Sequence, residues 1–179
     1  MSDPHAAIEL RVERIANLFD PFDPFPLPSR DLSGGAEAFI VDWARELPRE
    51  ARLRIVVHAP RMEAESEAAG ALPAAVKQHF GMRAQRLLGD LHELFRVGRA
   101  SLFIGLAVLA LCVGASALVT TMFGETPLTR FVAEGLFILG WVANWRPLEI
   151  ILYDWWPLVR RRRLMLRLAA APVEVRTAE

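Results

Sequence analysis

The chain has 179 residues, 53% of them hydrophobic, with a formal net charge of zero and a mean hydropathy of +0.25. It is too apolar for an ordinary soluble domain and long enough for one small folded unit plus a few membrane spans. A nucleic-acid surface is excluded, because the arginines gather at the flanks of an apolar centre, where membrane topology accounts for them. The single cysteine, Cys112, lies inside an apolar run, so one chain can build neither a disulfide framework nor a thiolate metal site. The N-terminus shows no basic region followed by an apolar one, so the first span is expected to direct insertion itself.

Residues 8–15, IELRVERI, alternate Ile8, Leu10 and Val12 with Glu9, Arg11 and Glu13, the period of a strand with one buried face. Pro21, Pro24, Pro26 and Pro28 then forbid helix and sheet interior and keep the backbone extended. Asp-Pro-Phe occurs twice in this loop, so Phe22 and Phe25 recur on a three-residue period and project from one face. Two readings follow: a rigid segment that docks on a protein partner at low entropic cost, or rings that cap the small core or touch a lipid interface. Gly34 and Gly35 precede a short amphipathic helix with Phe39, Ile40, Trp43 and Leu47 on one face and Pro48 as its stop. Residues 52–58, RLRIVVH, alternate again and give a second strand. Strand, helix and strand in that order predict a right-handed crossover with parallel strands. With an acidic, alanine-rich linker these elements make an N-terminal unit over residues 1–72.

Residues 73–100 read as an amphipathic helix opened by Pro73, whose stripe of Val76, Phe80, Leu87, Leu91, Leu94 and Phe95 needs a partner such as the small sheet. Residues 101–123 carry no ionisable side chain besides Cys112 and match the roughly 20 residues that cross about 30 Å of hydrocarbon. A short loop over residues 124–130 leads to a second span over residues 131–153, which Pro147 either bends or ends. Residues 154–179 supply an interfacial segment and a third strand near residues 172–176 that returns to the N-terminal sheet. Arg83, Arg86, Arg96 and Arg99 precede the first span and Arg160, Arg161, Arg162 and Arg163 follow the second, against Arg130 alone in the loop between them. By the positive-inside rule both termini are cytoplasmic. The expected fold is an α+β membrane protein: a two-helix transmembrane hairpin with a small cytoplasmic three-stranded α/β-type domain formed by both termini.

Ionisable groups inside a span are functional candidates because each is costly there unless paired or hydrated. Arg146 and Glu149, three residues apart on one helix face, form such a pair with Asn144 nearby, and Glu134 lies about one turn inside the outer end. They either fix the helices or, repeated in an oligomer, line a hydrated path. Trp155 and Trp156 mark the inner interface, and Arg160 to Arg163 attract anionic lipid head groups. Ala110 and Gly114 are a small-xxx-small pair suited to helix packing. No catalytic, cofactor or metal motif occurs: the histidines lack the four-residue spacing of a helical zinc site, and there is neither a phosphate loop nor a nucleophile elbow. The expectation is that the protein is not an enzyme and uses no cofactor.

Ser29-Arg30-Asp31-Leu32 after the DP-rich loop, the helix Phe39 to Pro48, the run Gly140 to Glu149 and the run Tyr153 to Pro157 resemble a group of small bacterial two-span inner-membrane proteins. The resemblance covers most of the chain, brings no named activity, and implies the bacterial inner membrane as location. The leading expectation for function is a membrane-anchored interaction or scaffolding module whose cytoplasmic domain offers a sheet edge and the Phe22/Phe25 loop to a protein partner. The alternative is a homo-oligomeric channel or transport subunit using Asn144, Arg146 and Glu149.

Overall fold

In a computed structural model, which describes residues 5–26, 29–48 and 50–178, three parallel strands lie in the order β1-β2-β3. They are β1 His5–Arg11, β2 Arg52–Ala59 and β3 Val173–Thr177. Between β1 and β2 comes α1, Gly34–Glu46; after β2 come a single turn, α2 Arg61–Ala64, and the 57-residue α3, Glu67–Phe123. The chain then forms α4 Pro127–Val142, α5 Trp145–Glu149, a π-helical turn at Ile150–Asp154 and α6 Trp155–Ala169 before β3. The chain divides into two compact units, one built from the part up to Leu87 together with the segment from Arg160 onward, the other from Leu88–Val159.

In the first unit the strand period decides which face is buried. Ile8 and Leu10 of β1 and Leu53, Ile55, Val57 and Ala59 of β2 point into one core, with Val173 and Val175 of β3 at its rim. Ile40, Val41 and Ala44 of α1, Leu72, Ala75, Val76, Phe80 and Ala84 of α3, and Met165 and Leu168 of α6 cover that face. The opposite face is charged: the register sets Glu9, Val56 and Glu174 in one row and Arg11, His58 and Arg176 in the next. Arg54 and Arg176 reach Glu174 at 3.8 and 2.8 Å. Arg167 of α6 donates to the carbonyls of Pro48 and Ala51 at 3.1 and 2.8 Å, fixing the turn between α1 and β2.

Several expected boundaries move, each for a physical reason. The first strand ends at Arg11, and Ile15 enters the core from a 3₁₀ turn over Ile15–Leu18. In α1 the buried residues are Ile40, Val41 and Ala44, so Phe39 and Trp43 share an exposed face, edge to face at 5.4 Å. Pro73 sits inside α3, which starts at Glu67. The expected division at residue 72 therefore falls within a helix whose Leu72, Ala75 and Val76 are core. Pro28 lies outside the described residues.

Two helical stretches that run through the second unit, Glu67–Phe123 and Pro127–Ala169, are long and apolar enough to cross a membrane, and their most apolar windows are only 11% and 22% buried. Gly124, with φ 72°, ends α3 and permits the reversal, and a reciprocal Thr126–Thr129 capping box opens α4. The loop expected over residues 124–130 thus shrinks to three residues between Phe123 and Pro127. The helices meet along one seam, where Gly98, Gly105 and Cys112 recur every seven residues and face Ile150, Asn144 and Gly140. Ala110 and Gly114 are exposed, so the expected small-residue pair is not the contact. The second helical stretch breaks at Ala143 and Asn144, one turn before Pro147. Pro147 has no N–H for the Ala143 carbonyl and its ring crowds that oxygen, so the helix unwinds upstream of the proline.

Candidate functional site

The most exposed aromatic side chains of the first unit stand on the loop between β1 and α1. Its neck is closed by Phe19 and Leu32, both buried in the core and paired as an isolated antiparallel bridge. Asp20 N–H donates to the Asp31 carbonyl at 3.0 Å and Ser33 N–H to the Leu18 carbonyl at 2.8 Å. Ser33 then caps α1, its hydroxyl accepting from Ala36 N–H.

Beyond the neck, each Asp-Pro-Phe repeat folds into the same local turn. Phe22 N–H donates to Asp20 Oδ1 at 2.9 Å and Phe25 N–H to Asp23 Oδ1 at 3.0 Å, the Asx turns to which aspartate is predisposed. The second oxygen of Asp23 accepts from Asp31 N–H at 2.7 Å across the loop. Those two N–H groups hold the Asp23 carboxyl below the ordinary aspartate range, with Arg30 adding to the effect. Phe22 is 91% exposed and Phe25 63% exposed, so neither ring caps the core, and the backbone that carries them is tied down at both ends.

Beneath the loop lies a buried histidine whose neighbours come from the loop, α1 and α3. His79 of α3 is 2% exposed. Its Nδ1 stands 2.9 Å from Asp31 Oδ1 and 3.3 Å from the Leu32 nitrogen, and its Nε2 stands 3.2 Å from Glu37 Oε2 of α1. Arg83, one turn further along α3, also donates to Glu37 Oε2, and the Phe80 ring meets the imidazole edge to face at 5.3 Å. Sequence reasoning missed this cluster. The available signal is a histidine one residue before a core phenylalanine on an amphipathic helix, with Arg83 four residues on.

The expected intramembrane group separates into two. Asn144 is buried in the seam, where its Nδ2 donates to the Gly105 and Gly140 carbonyls at 3.2 and 3.0 Å. Arg146 instead lies on an exposed face, bonded to Glu149 at 2.8 Å and to Asp154 at 3.2 Å. The π-helical turn brings Asp154 within reach, since a wider turn shortens the rise across residues 150–154. Its unwinding also leaves the Ile151 carbonyl to accept from the Trp155 indole at 2.8 Å. Trp155 is half-buried, while Trp156 and Glu134 are exposed. Arg160, Arg161 and Arg163 are exposed or partly so along α6, and Arg162 has a shielded Nε with no hydrogen-bond partner.

At the carboxyl ends of the strands, the usual position for ligands on parallel sheets, an open cavity of about 320 Å³ is lined by Glu9, Leu10, Arg11, His58 and Ala178. Its His58 and Glu9 already face each other at 3.5 Å. Among the described residues no group of three histidine, cysteine, aspartate or glutamate side chains is arranged to hold a metal ion. No protein-family model, curated protein or solved structure matches this chain.

Proposed function

We propose that the chain is a bacterial inner-membrane protein in which a two-span hairpin anchors a cytoplasmic α/β unit, and that this unit recruits a protein partner through Phe22 and Phe25. Support for the anchor comes from exposure. Phe103, Ile104, Leu111, Leu118, Phe131 and Ile138 surround the seam uncovered, the opposite of a soluble core helix. Lipid is the solvent in which such a surface is stable, and a seam built on glycines and one buried asparagine is the packing that membrane helices use. Arg160, Arg161, Arg162 and Arg163 at the foot of the second helical stretch favour the cytoplasmic side and anionic head groups. Alkaline extraction of membranes and reporter fusions at both ends test the anchor; a soluble protein, or ends outside the cell, refutes it.

The observation that carries the partner reading is the loop itself. Two phenylalanines stay in water on a backbone already ordered by Asp20, Asp23 and Asp31, so docking them gains apolar burial at little further ordering cost. A photo-reactive residue at position 22 in the full-length membrane protein is expected to give one dominant crosslinked species, competed by unlabelled protein and lost in Phe25→Ala. The same reactive residue at Met62, another highly exposed side chain of this unit, is the control. Equal crosslinking at both positions rejects the reading. An oligomeric pore draws on the exposed Arg146–Glu149–Asp154 group, which a second copy could meet. Ion flux in liposomes abolished by Arg146→Ala would favour it.

A further inference from the structure

We infer that His79 is a proton-operated latch for the Phe22/Phe25 loop, holding it in the arrangement described when the imidazole is charged and releasing it when the proton leaves. The inference rests on that loop being the partner-binding element and adds its regulation. The argument is one of valence. Nδ1 has a single in-plane position, yet it faces both an acceptor, Asp31 Oδ1 at 2.9 Å, and a donor, Leu32 N–H at 3.3 Å. It can serve only one of them. Nε2 faces only the carboxylate oxygen of Glu37, which accepts and cannot donate, whereas Nδ1 also has the Leu32 N–H to fill its lone pair, so the neutral ring keeps its hydrogen on Nε2.

Two states follow. In the charged ring both nitrogens donate, one to Asp31 and one to Glu37, and both bonds are charge-assisted. In the neutral ring Nδ1 presents a lone pair: Leu32 N–H gains an acceptor, and Asp31 Oδ1 is left against that lone pair and repelled by it. Asp31 from the loop and Glu37 from α1 bring two negative charges, Arg83 from α3 brings one positive charge, and a proton on His79 balances them. Arg30 acts further out, on Asp23.

Asp31 transmits the change because it ties the loop together. Its N–H is bonded to Asp23, which forms the Phe25 turn, its carbonyl accepts from Asp20, which forms the Phe22 turn, and its side chain is the one that meets His79. Displacing Asp31 therefore loosens both aromatic turns together. Leu32, on the other side of the junction, remains in the core.

Hydrogen exchange of the full-length protein in neutral detergent micelles, followed over residues 20–31 and corrected for the intrinsic pH dependence of exchange, tests this. Over the range in which an imidazole changes charge, roughly pH 5 to 8, protection of the Asp20 and Asp31 amides is expected to fall about tenfold as pH rises, the effect of exchanging the charge-assisted bond to Asp31 for a neutral one from Leu32 N–H. In His79→Gln the profile is expected to be flat. Should that variant fail to fold by circular dichroism, Asp31→Asn, which changes a partly exposed side chain, must give the flat profile instead. Wild-type protection that does not change with pH overturns the latch, as does a pH-dependent fall that persists in a folded variant of either kind. Because no partner is present, this result is separate from the crosslinking at position 22: either can fail while the other stands.

Discussion

Gly105→Ala is the sharpest test of the seam between the two long helices. A Cβ at this position would lie 2.7 Å from Asn144 Oδ1, 3.1 Å from Asn144 Cγ and 3.0 Å from the Ala143 carbonyl oxygen. The side-chain atom can rotate away, but only by giving up the bond from Asn144 Nδ2 to the Gly105 carbonyl, about 0.6–1.7 kcal/mol for an interhelical bond in a membrane. The Ala143 oxygen is backbone, so the helices must also separate, and overpacking of a tight contact adds about 1–3 kcal/mol. The net loss is thus about 2–4 kcal/mol, lowered slightly by alanine's better helix propensity. Gly114→Ala gains the same propensity and meets nothing within 4 Å, which makes it the internal control. Reversible unfolding in mixed micelles of mild and denaturing detergent measures both. A Gly105→Ala variant as stable as the wild type, or a Gly114→Ala variant equally damaged, refutes the seam as described.

Three further outcomes are expected. Phe80→Ala, at a fully buried ring where α3 crosses the sheet, should cost about 3–5 kcal/mol in the unfolding of the α/β unit, read by denaturant titration. Arg167→Met keeps the apolar stem but loses the two bonds to Pro48 and Ala51, and should destabilise the same transition by about 1.5–3 kcal/mol. For Asp23, whose carboxyl is held low in the folded state, the contribution is complete above the ordinary aspartate pKa of about 4 and is lost as pH falls through the lower folded value. Loop protection should therefore collapse on the acid side of pH 4 in the wild type, and Asp23→Asn should remove that acid limb while lowering protection near neutrality.

Much of the architecture is written locally in the chain. The alternation at Ile8 and Leu10, and again at Leu53, Ile55 and Val57, sets both the strands and their buried face, because period two admits no other assignment. Val173 and Val175 sit where the last such alternation predicts, and their pairing with Ile55 and Val57 completes a parallel sheet. What local pattern could not give was the choice between faces that are both apolar. Phe39 and Trp43 look like core beside Ile40, yet Ile40 and Ala44 point inward and the aromatics stay outside. Likewise Ala110 and Gly114 are small, but only Gly98, Gly105 and Gly140 meet a partner, and that depends on register across the helix pair. The His79 junction was least legible of all, since His79 lies 48 residues from Asp31 and 42 from Glu37 and meets them only once α3 packs against the loop and α1.

The placement of β3 has a consequence for how such a chain is made. It is an edge strand synthesised last, and Ile55 to Ala59 wait for it while everything from α3 to α6 leaves the ribosome. If those helices cross the bilayer as proposed, β3 reaches its seat only when the chain has crossed and returned. A polypeptide stranded after a single crossing would strand β3 in the wrong compartment, exposing the flank of β2 to proteases. On that topology an unclosed sheet would mark a chain whose hairpin is incomplete.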